Sequence, residues 1–150
     1  MLTRGTRVEL AVIIRDRAVA WAVAQSDVGE IDALNILQAT LLAMKRAIEQ
    51  LTTAPEVVWI DGTQCPPLAY PSRAIVDGDR LVAAIAAASI LAKTTRDAIL
   101  VELDRSYPLY GFARHKGYST PEHLAALALH GPCAAHLRWF GPVRQTGFAF

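Results

Sequence analysis

The feature that most constrains the fold is the run Val57-Val58-Trp59-Ile60, closed abruptly by Asp61-Gly62. Consecutive β-branched and aromatic residues have the composition of a short buried strand, and an Asp-Gly pair ends such a strand sharply. Helical patterns lie on both sides of it. Upstream, Leu34, Leu37, Leu41, Leu42 and Ile48 form one stripe, which predicts a long amphipathic helix capped by Asp32 or a neighbour and running to about Leu51. Downstream, an Ala-rich stretch predicts a buried helix from about Ala83 to Leu103. A short strand set among helices reads as an α/β arrangement.

The remaining segments are shorter. Val8, Ala11, Val12 and Ile14 lie among Arg and Glu at helical spacing, predicting a helix over Arg7–Arg17, and Ala18–Ala24 then reads as a short buried strand carrying Trp21. Pro66-Pro67 and Pro71 mark a loop, Ala74-Ile75-Val76 one more short strand, and Asp77-Gly78-Asp79 a turn. Tyr107–Pro121 has loop composition. Thr120-Pro121-Glu122 opens a helix to about Leu129, with Thr as cap and Pro at the first helical position, and Gly131-Pro132 ends it. The tail after it has no regular periodicity. At 150 residues, one domain with one core is expected.

Several function classes are excluded. A chain that is 53% hydrophobic and 19% charged is too apolar for disorder, and a net charge of +1 gives no bulk field to draw a polyanion, so any nucleic-acid partner must be read by a local patch. Leu81–Ala92 is interrupted by Ser89 and fenced by charges, too short to cross a bilayer, and Met1–Arg17 has no signal-peptide core. No membrane partner is expected. Cys65 and Cys133 stand far apart, outside any disulfide or zinc framework, which suits a reducing cytoplasm. No Gly-rich phosphate loop, Gly-x-Ser-x-Gly elbow or His-Glu-x-x-His helix occurs.

Three groups of residues have chemical potential. Asp61 ends a strand, where open α/β sheets place ligand-binding groups, although the same residues also describe an ordinary Asp-Gly turn. Ser89, Lys93 and Asp97 recur at four-residue intervals as one polar line on the Ala-rich helix, which reads either as a solvated face or as a line of groups awaiting a partner. A second carboxylate near Asp61 would make a site for a hard divalent ion. Arg114-His115-Lys116-Gly117-Tyr118 combines cationic donors, a flexible Gly and an aromatic ring, a set suited to phosphate contact and stacking but also common in exposed loops. His136 and Arg138 share that ambiguity.

Taken in order, Glu30-Ile31-Asp32-Ala33-Leu34-Asn35-Ile36-Leu37-Gln38-Ala39-Thr40, Ile60-Asp61-Gly62, Ala86-Ala87-Ala88-Ser89-Ile90-Leu91-Ala92-Lys93 and Thr95-Arg96-Asp97 resemble ribonuclease HII. Tyr107-Pro108, Tyr110-Gly111-Phe112, His115-Lys116-Gly117-Tyr118 and Phe140-Gly141-Pro142-Val143 extend the resemblance to about Arg144. It implies a ribonuclease H-like mixed sheet flanked by helices, with a C-terminal helical extension. It also implies an endonuclease that hydrolyses RNA in RNA–DNA hybrids, or ribonucleotides embedded in duplex DNA, with two divalent ions, Mn²⁺ or Mg²⁺, held by four acidic residues. By the same resemblance Asp61 and Asp97 are two of the four. Tyr118, led by His115 and Lys116, is similar to the tyrosine that packs on the sugar at the RNA–DNA junction, and Ser89 and Lys93 line the helix that bears Asp97. Family members are usually monomeric.

The pattern is also departed from. Family members open with a strand ending in Asp-Glu and followed by Gly-Arg-Gly, which occurs nowhere in these 150 residues, and Met1-Leu2-Thr3 aligns with a helix downstream of that strand. The expectation is therefore a sheet incomplete at its N-terminal side, little hydrolysis by this chain alone, and self-association through exposed strand edges. A non-catalytic nucleic-acid-binding remnant, or a fragment completed by a partner, is the alternative. Smaller departures are Asp77, where Lys is usual, and Leu137 and Trp139, which replace Arg and Ser.

Overall fold

The structure is a computed structural model, and it describes residues 2–145. It is a helix-rich α/β chain whose described residues form α1 (Arg4–Arg17), α2 (Val28–Leu34), α3 (Ile36–Glu49), β1 (Val58–Asp61), β2 (Ser72–Ile75), α4 (Gly78–Leu81), α5 (Ala83–Ser106), α6 (Phe112–His115), α7 (Pro121–His130) and α8 (Gly141–Gln145). They gather into two compact units, one of Met1–Ser26 with Thr40–Thr95 and one of Asp27–Ala39 with Arg96–Phe150.

In the first unit, β1 and β2 pair in parallel with Val58 opposite Ser72 and Asp61 opposite Ile75. Alternation along β1 buries Val58 and Ile60 and exposes Trp59 and Asp61. The expected burial thus holds for one face only, and Trp59 remains 46% exposed. β2 starts two residues earlier than Ala74 because its ladder runs back to Ser72, just after Pro71 accepts from Val58 N–H at 2.8 Å. The strand expected at Ala18–Ala24 forms no ladder among the described residues. A strand needs a neighbour to satisfy its amides, and local composition cannot supply one. Trp21 instead lies beneath the Arg15 guanidinium, 5.1 Å from ring to cation.

The single long helix expected from Asp32 to Leu51 is two. Asp27 starts α2 with a capping box, accepting from Glu30 N–H while the Glu30 carboxylate accepts from Asp27 N–H. Asn35 then takes φ 73° with ψ 163°, a positive-φ conformation that cannot continue a helix, and its Oδ1 accepts from Gln38 N–H to open α3. The periodicity of leucines runs across this break and so conceals it. The Asp77-Gly78-Asp79 turn is realised as α4, entered through Asp77 in the left-handed region at φ 54°.

The second unit is built on Tyr110, Phe112, Leu127 and Val143, with Leu100, Leu103, Tyr107 and Phe140 packed against them. α7 begins as its sequence dictates: Thr120 Oγ1 accepts from His123 N–H, Pro121 follows, and Gly131 at φ 70° ends the helix. The stretch from Tyr107 to Pro121 is mostly loop but contains α6, and α8 gives the C-terminal helical element.

Gly78 is where packing leaves no room: a Cβ there would stand 2.6 Å from Ile85 Cδ1 and 3.4 Å from Asp61 Oδ1. Gly78→Ala is expected to cost about 1–3 kcal/mol of stability by overpacking, read as a lower urea midpoint. An unchanged midpoint would refute it.

Candidate functional site

Asp61 stands on the exposed face of β1 at its carboxyl end. Its Oδ1 accepts a hydrogen bond from Gly78 N–H at 2.9 Å, and Gly62, at φ 120°, turns the chain away while donating its N–H to Ile75 O. The carboxylate is therefore oriented by a backbone amide. Such an oxygen donor suits a hard divalent cation, although among the described residues no three His, Cys, Asp or Glu side chains assemble into a metal-holding group. Ser89, half-buried, and Lys93, exposed, belong to the same unit on α5, where Lys93 Nζ lies 3.9 Å from Asp79.

Asp97, His115, Lys116 and Tyr118 belong to the second unit. Asp97 is half-buried on α5. Its sequence neighbour Arg96 donates from Nη2 to Lys116 O at 3.0 Å, and the same guanidinium lies over the Tyr118 ring, 5.4 Å from its centroid. Structure thus brings Lys116 and Tyr118 to the residue preceding Asp97. Tyr118 presents its ring to solvent at 65% exposure, while Lys116 Nζ is buried without a hydrogen-bond partner among the described residues. A buried ammonium without a hydrogen-bond partner is unfavourable. Arg114 is taken up by an ion pair with Glu122.

His115 has a different environment from an exposed phosphate contact. Its ring is buried, with Nε2 2.6 Å from Tyr110 O and Nδ1 accepting from Gly117 N–H at 3.1 Å. Since Nδ1 accepts, Nε2 carries the proton and donates to Tyr110 O. This imidazole shapes the loop from within.

His123, which sequence patterning left unremarked, takes a similar part. It is only 1% exposed, and its ring stacks on His115 with centroids 4.2 Å apart. His136, 5% exposed, lies with its Nε2 at 3.0 Å from His123 Nε2. One proton order satisfies every contact: Cys133 N–H, at 3.0 Å, and its thiol, at 3.1 Å, donate to His136 Nδ1, His136 Nε2–H donates to His123 Nε2, and His123 Nδ1–H donates to Tyr118 O at 2.9 Å. Both imidazoles are neutral in that order. Burial holds the His136 pKa down at about 4, the nearby His123 adding to the effect, and burial lowers that of His123 and raises that of the Cys133 thiol. The available signal was His123 four residues before Leu127 on α7, one apolar face carrying a ring that needs partners. The ambiguous pair resolves in part: His136 is interior, and Arg138 N–H donates to Asp32 at 3.1 Å.

The fold is shared with a known nuclease. Ribonuclease H2 from Pyrococcus horikoshii OT3 superposes with a TM-score of 0.80 at 22% identity, over 97% of this chain and 77% of that one. The family follows from sequence: the model described as Ribonuclease HII matches residues 1–143. The Ribonuclease HII of Paraburkholderia xenovorans is 56% identical over 146 residues, covering 97% of this chain and 59% of the relative. That of Thiobacillus denitrificans is 57% identical over 143 residues, covering 95% and 70%. The chain belongs to the ribonuclease HII family. It spans less than two thirds of the first relative's length.

The neutral histidine chain makes stability depend on pH. A folded-state pKa of about 4 for His136 lies below the ordinary 6.5, so its contribution is complete above about pH 6.5 and is lost as pH falls toward 4. The loss is on the order of 3 kcal/mol. Urea unfolding at pH 7 and pH 4.5, with the His136 ring titrated by NMR, checks this. A midpoint near the ordinary value would overturn it.

Proposed function

We propose that this chain carries much of a divalent-metal-dependent endonuclease that hydrolyses RNA paired with or joined to DNA, including single ribonucleotides embedded in duplex DNA. The observation that best supports the reading is the Lys116–Tyr118 loop, which combines an exposed ring with an ammonium that is buried without a hydrogen-bond partner among the described residues. Tyr118 packs on the sugar beside the cleaved bond, and Lys116 receives a phosphate oxygen. Asp61 and Asp97 each serve as a metal-holding carboxylate. Ser89 and Lys93 line the helical surface facing the substrate, and His115 keeps the loop in shape. Bound Mg²⁺ or Mn²⁺ would supply an activated water and stabilise the leaving oxygen. Recognition of RNA over DNA then rests on the ribose 2′-hydroxyl. The cytoplasm is the proposed location, where both cysteines persist as the free thiols seen here.

These 150 residues contain no Asp-Glu pair followed by Gly-Arg-Gly, and two carboxylates are a thin ligand set for two ions. A duplex with one embedded ribonucleotide, incubated with Mn²⁺ or Mg²⁺, is expected to be cleaved at least a hundredfold more slowly by this chain than by a family member that includes that segment, as for the loss of electrostatic groups in other active sites. Comparable turnover would refute the assignment of the missing residues to catalysis. With two of the four acidic residues that the family resemblance implies, one second reading is a nucleic-acid binder without hydrolysis. Filter binding decides between them: retention of hybrid duplex without cleavage supports the binder, and neither supports an inert piece.

Val19, Trp21, Val57 and Trp59 of the first unit are exposed, and a parallel pair of strands is normally covered on both faces. The chain is accordingly proposed to self-associate. Size-exclusion chromatography is expected to show species larger than the 16.3 kDa monomer; a single monomer peak at high concentration would refute this.

A further inference from the structure

We propose that Arg96 is a positioning residue that presets Tyr118 and holds its ring in fixed register with Asp97; this rests on the reading that Tyr118 packs on the substrate sugar. Lys116 and Gly117 both adopt left-handed conformations, at φ 55° and 78°. Glycine accepts that region without cost, whereas lysine stays there only when its surroundings require it. The surroundings supply a bond at each successive residue. Arg96 holds Lys116 O, His115 Nδ1 accepts from Gly117 N–H, and His123 Nδ1–H holds Tyr118 O, while Tyr118 N–H returns to His115 O at 3.0 Å.

Among these anchors Arg96 has two contacts at once, one on the backbone of Lys116 and one over the ring of Tyr118. A planar guanidinium can donate along one edge while its charge attracts a π-face, and an ammonium of similar reach cannot do both as well. Arg96 also immediately precedes Asp97 on α5, so one rigid helical step links the carboxylate to the anchor of the ring. The consequence is a fixed spacing between the group that holds metal and the group that reads the sugar, which determines the phosphodiester presented for cleavage. The two histidines act from the core. Arg96 is an exposed residue, so its removal leaves that core intact.

Hydrogen exchange on this chain tests the positioning without any ligand. In Arg96→Gln, the amides of 117–118 are expected to exchange about three- to tenfold faster, with α7 and the melting temperature unchanged, and Arg96→Lys should fall between. Equal exchange in wild type and Arg96→Gln would overturn the proposal, as would faster exchange throughout α5 and α7, which marks a general structural role. Affinity for a duplex with a single ribonucleotide gives the second readout. Arg96→Gln should weaken it about fivefold when Tyr118 is present and have no effect in a Tyr118→Ala background. A loss that persists without Tyr118 would mean direct contact and also overturn the proposal. If Tyr118→Ala binds as wild type does, the sugar-packing reading fails, and the exchange data alone decide whether Arg96 positions the loop.

Discussion

Two neutral imidazoles, His123 and His136, bonded to each other inside an aromatic core, are the interaction on which the second unit depends. A core that encloses two histidines must give all four ring nitrogens a partner or incur their desolvation. Here the order of protons leaves none unmet: the chain starts at Cys133, passes through both rings and ends on the carbonyl of Tyr118. A charge on either ring would place two donors face to face. The core therefore stays intact only while both rings are uncharged, and the backbone of the exposed tyrosine inherits its order from that state.

The first unit orients a functional group by a simpler means. Asp61 lies at the end of an exposed strand face, where solvent would leave its carboxylate free to rotate. A single amide from the start of α4 restrains it, at a glycine where a side chain would press on Ile85 Cδ1. In the first unit the exposed carboxylate is held by a backbone amide, and in the second the loop bearing the exposed ring is held by buried histidines together with the exposed Arg96. Preorganisation of this sort lowers the cost of ordering the group when a ligand arrives.

Much of this was legible in the sequence, for identifiable reasons. Strand β1, helix α5 and the Thr120-Pro121 start of α7 depend on local composition and capping, which the chain states directly. The break at Asn35 was not legible, because leucine periodicity continues through it and an asparagine at positive φ with a capping side chain divides the helix. Nor was the fate of Ala18–Ala24, since pairing is decided by a neighbour elsewhere in the chain. The residues around Tyr118 were recognised as a group by their composition and by family resemblance, yet the interior position of His115 and the contacts of Arg96 and His123 with the loop span 5 to 22 residues. Residue type shows that an imidazole can bind phosphate; burial shows which one is occupied elsewhere.

The buried ammonium of Lys116 bears on why the loop is held so firmly. Without a hydrogen-bond partner among the described residues, it is a cost within the free protein, and a flexible loop would relieve it by turning the side chain out to water. Arg96, His115 and His123 each bind a neighbouring backbone group and so oppose that escape. On the proposed reading, an incoming phosphate oxygen would meet that ammonium and offset this cost. The same backbone bonds hold the stretch from which the tyrosine ring points outward and the lysine inward, so the proposed sugar and phosphate contacts would share one short piece of backbone.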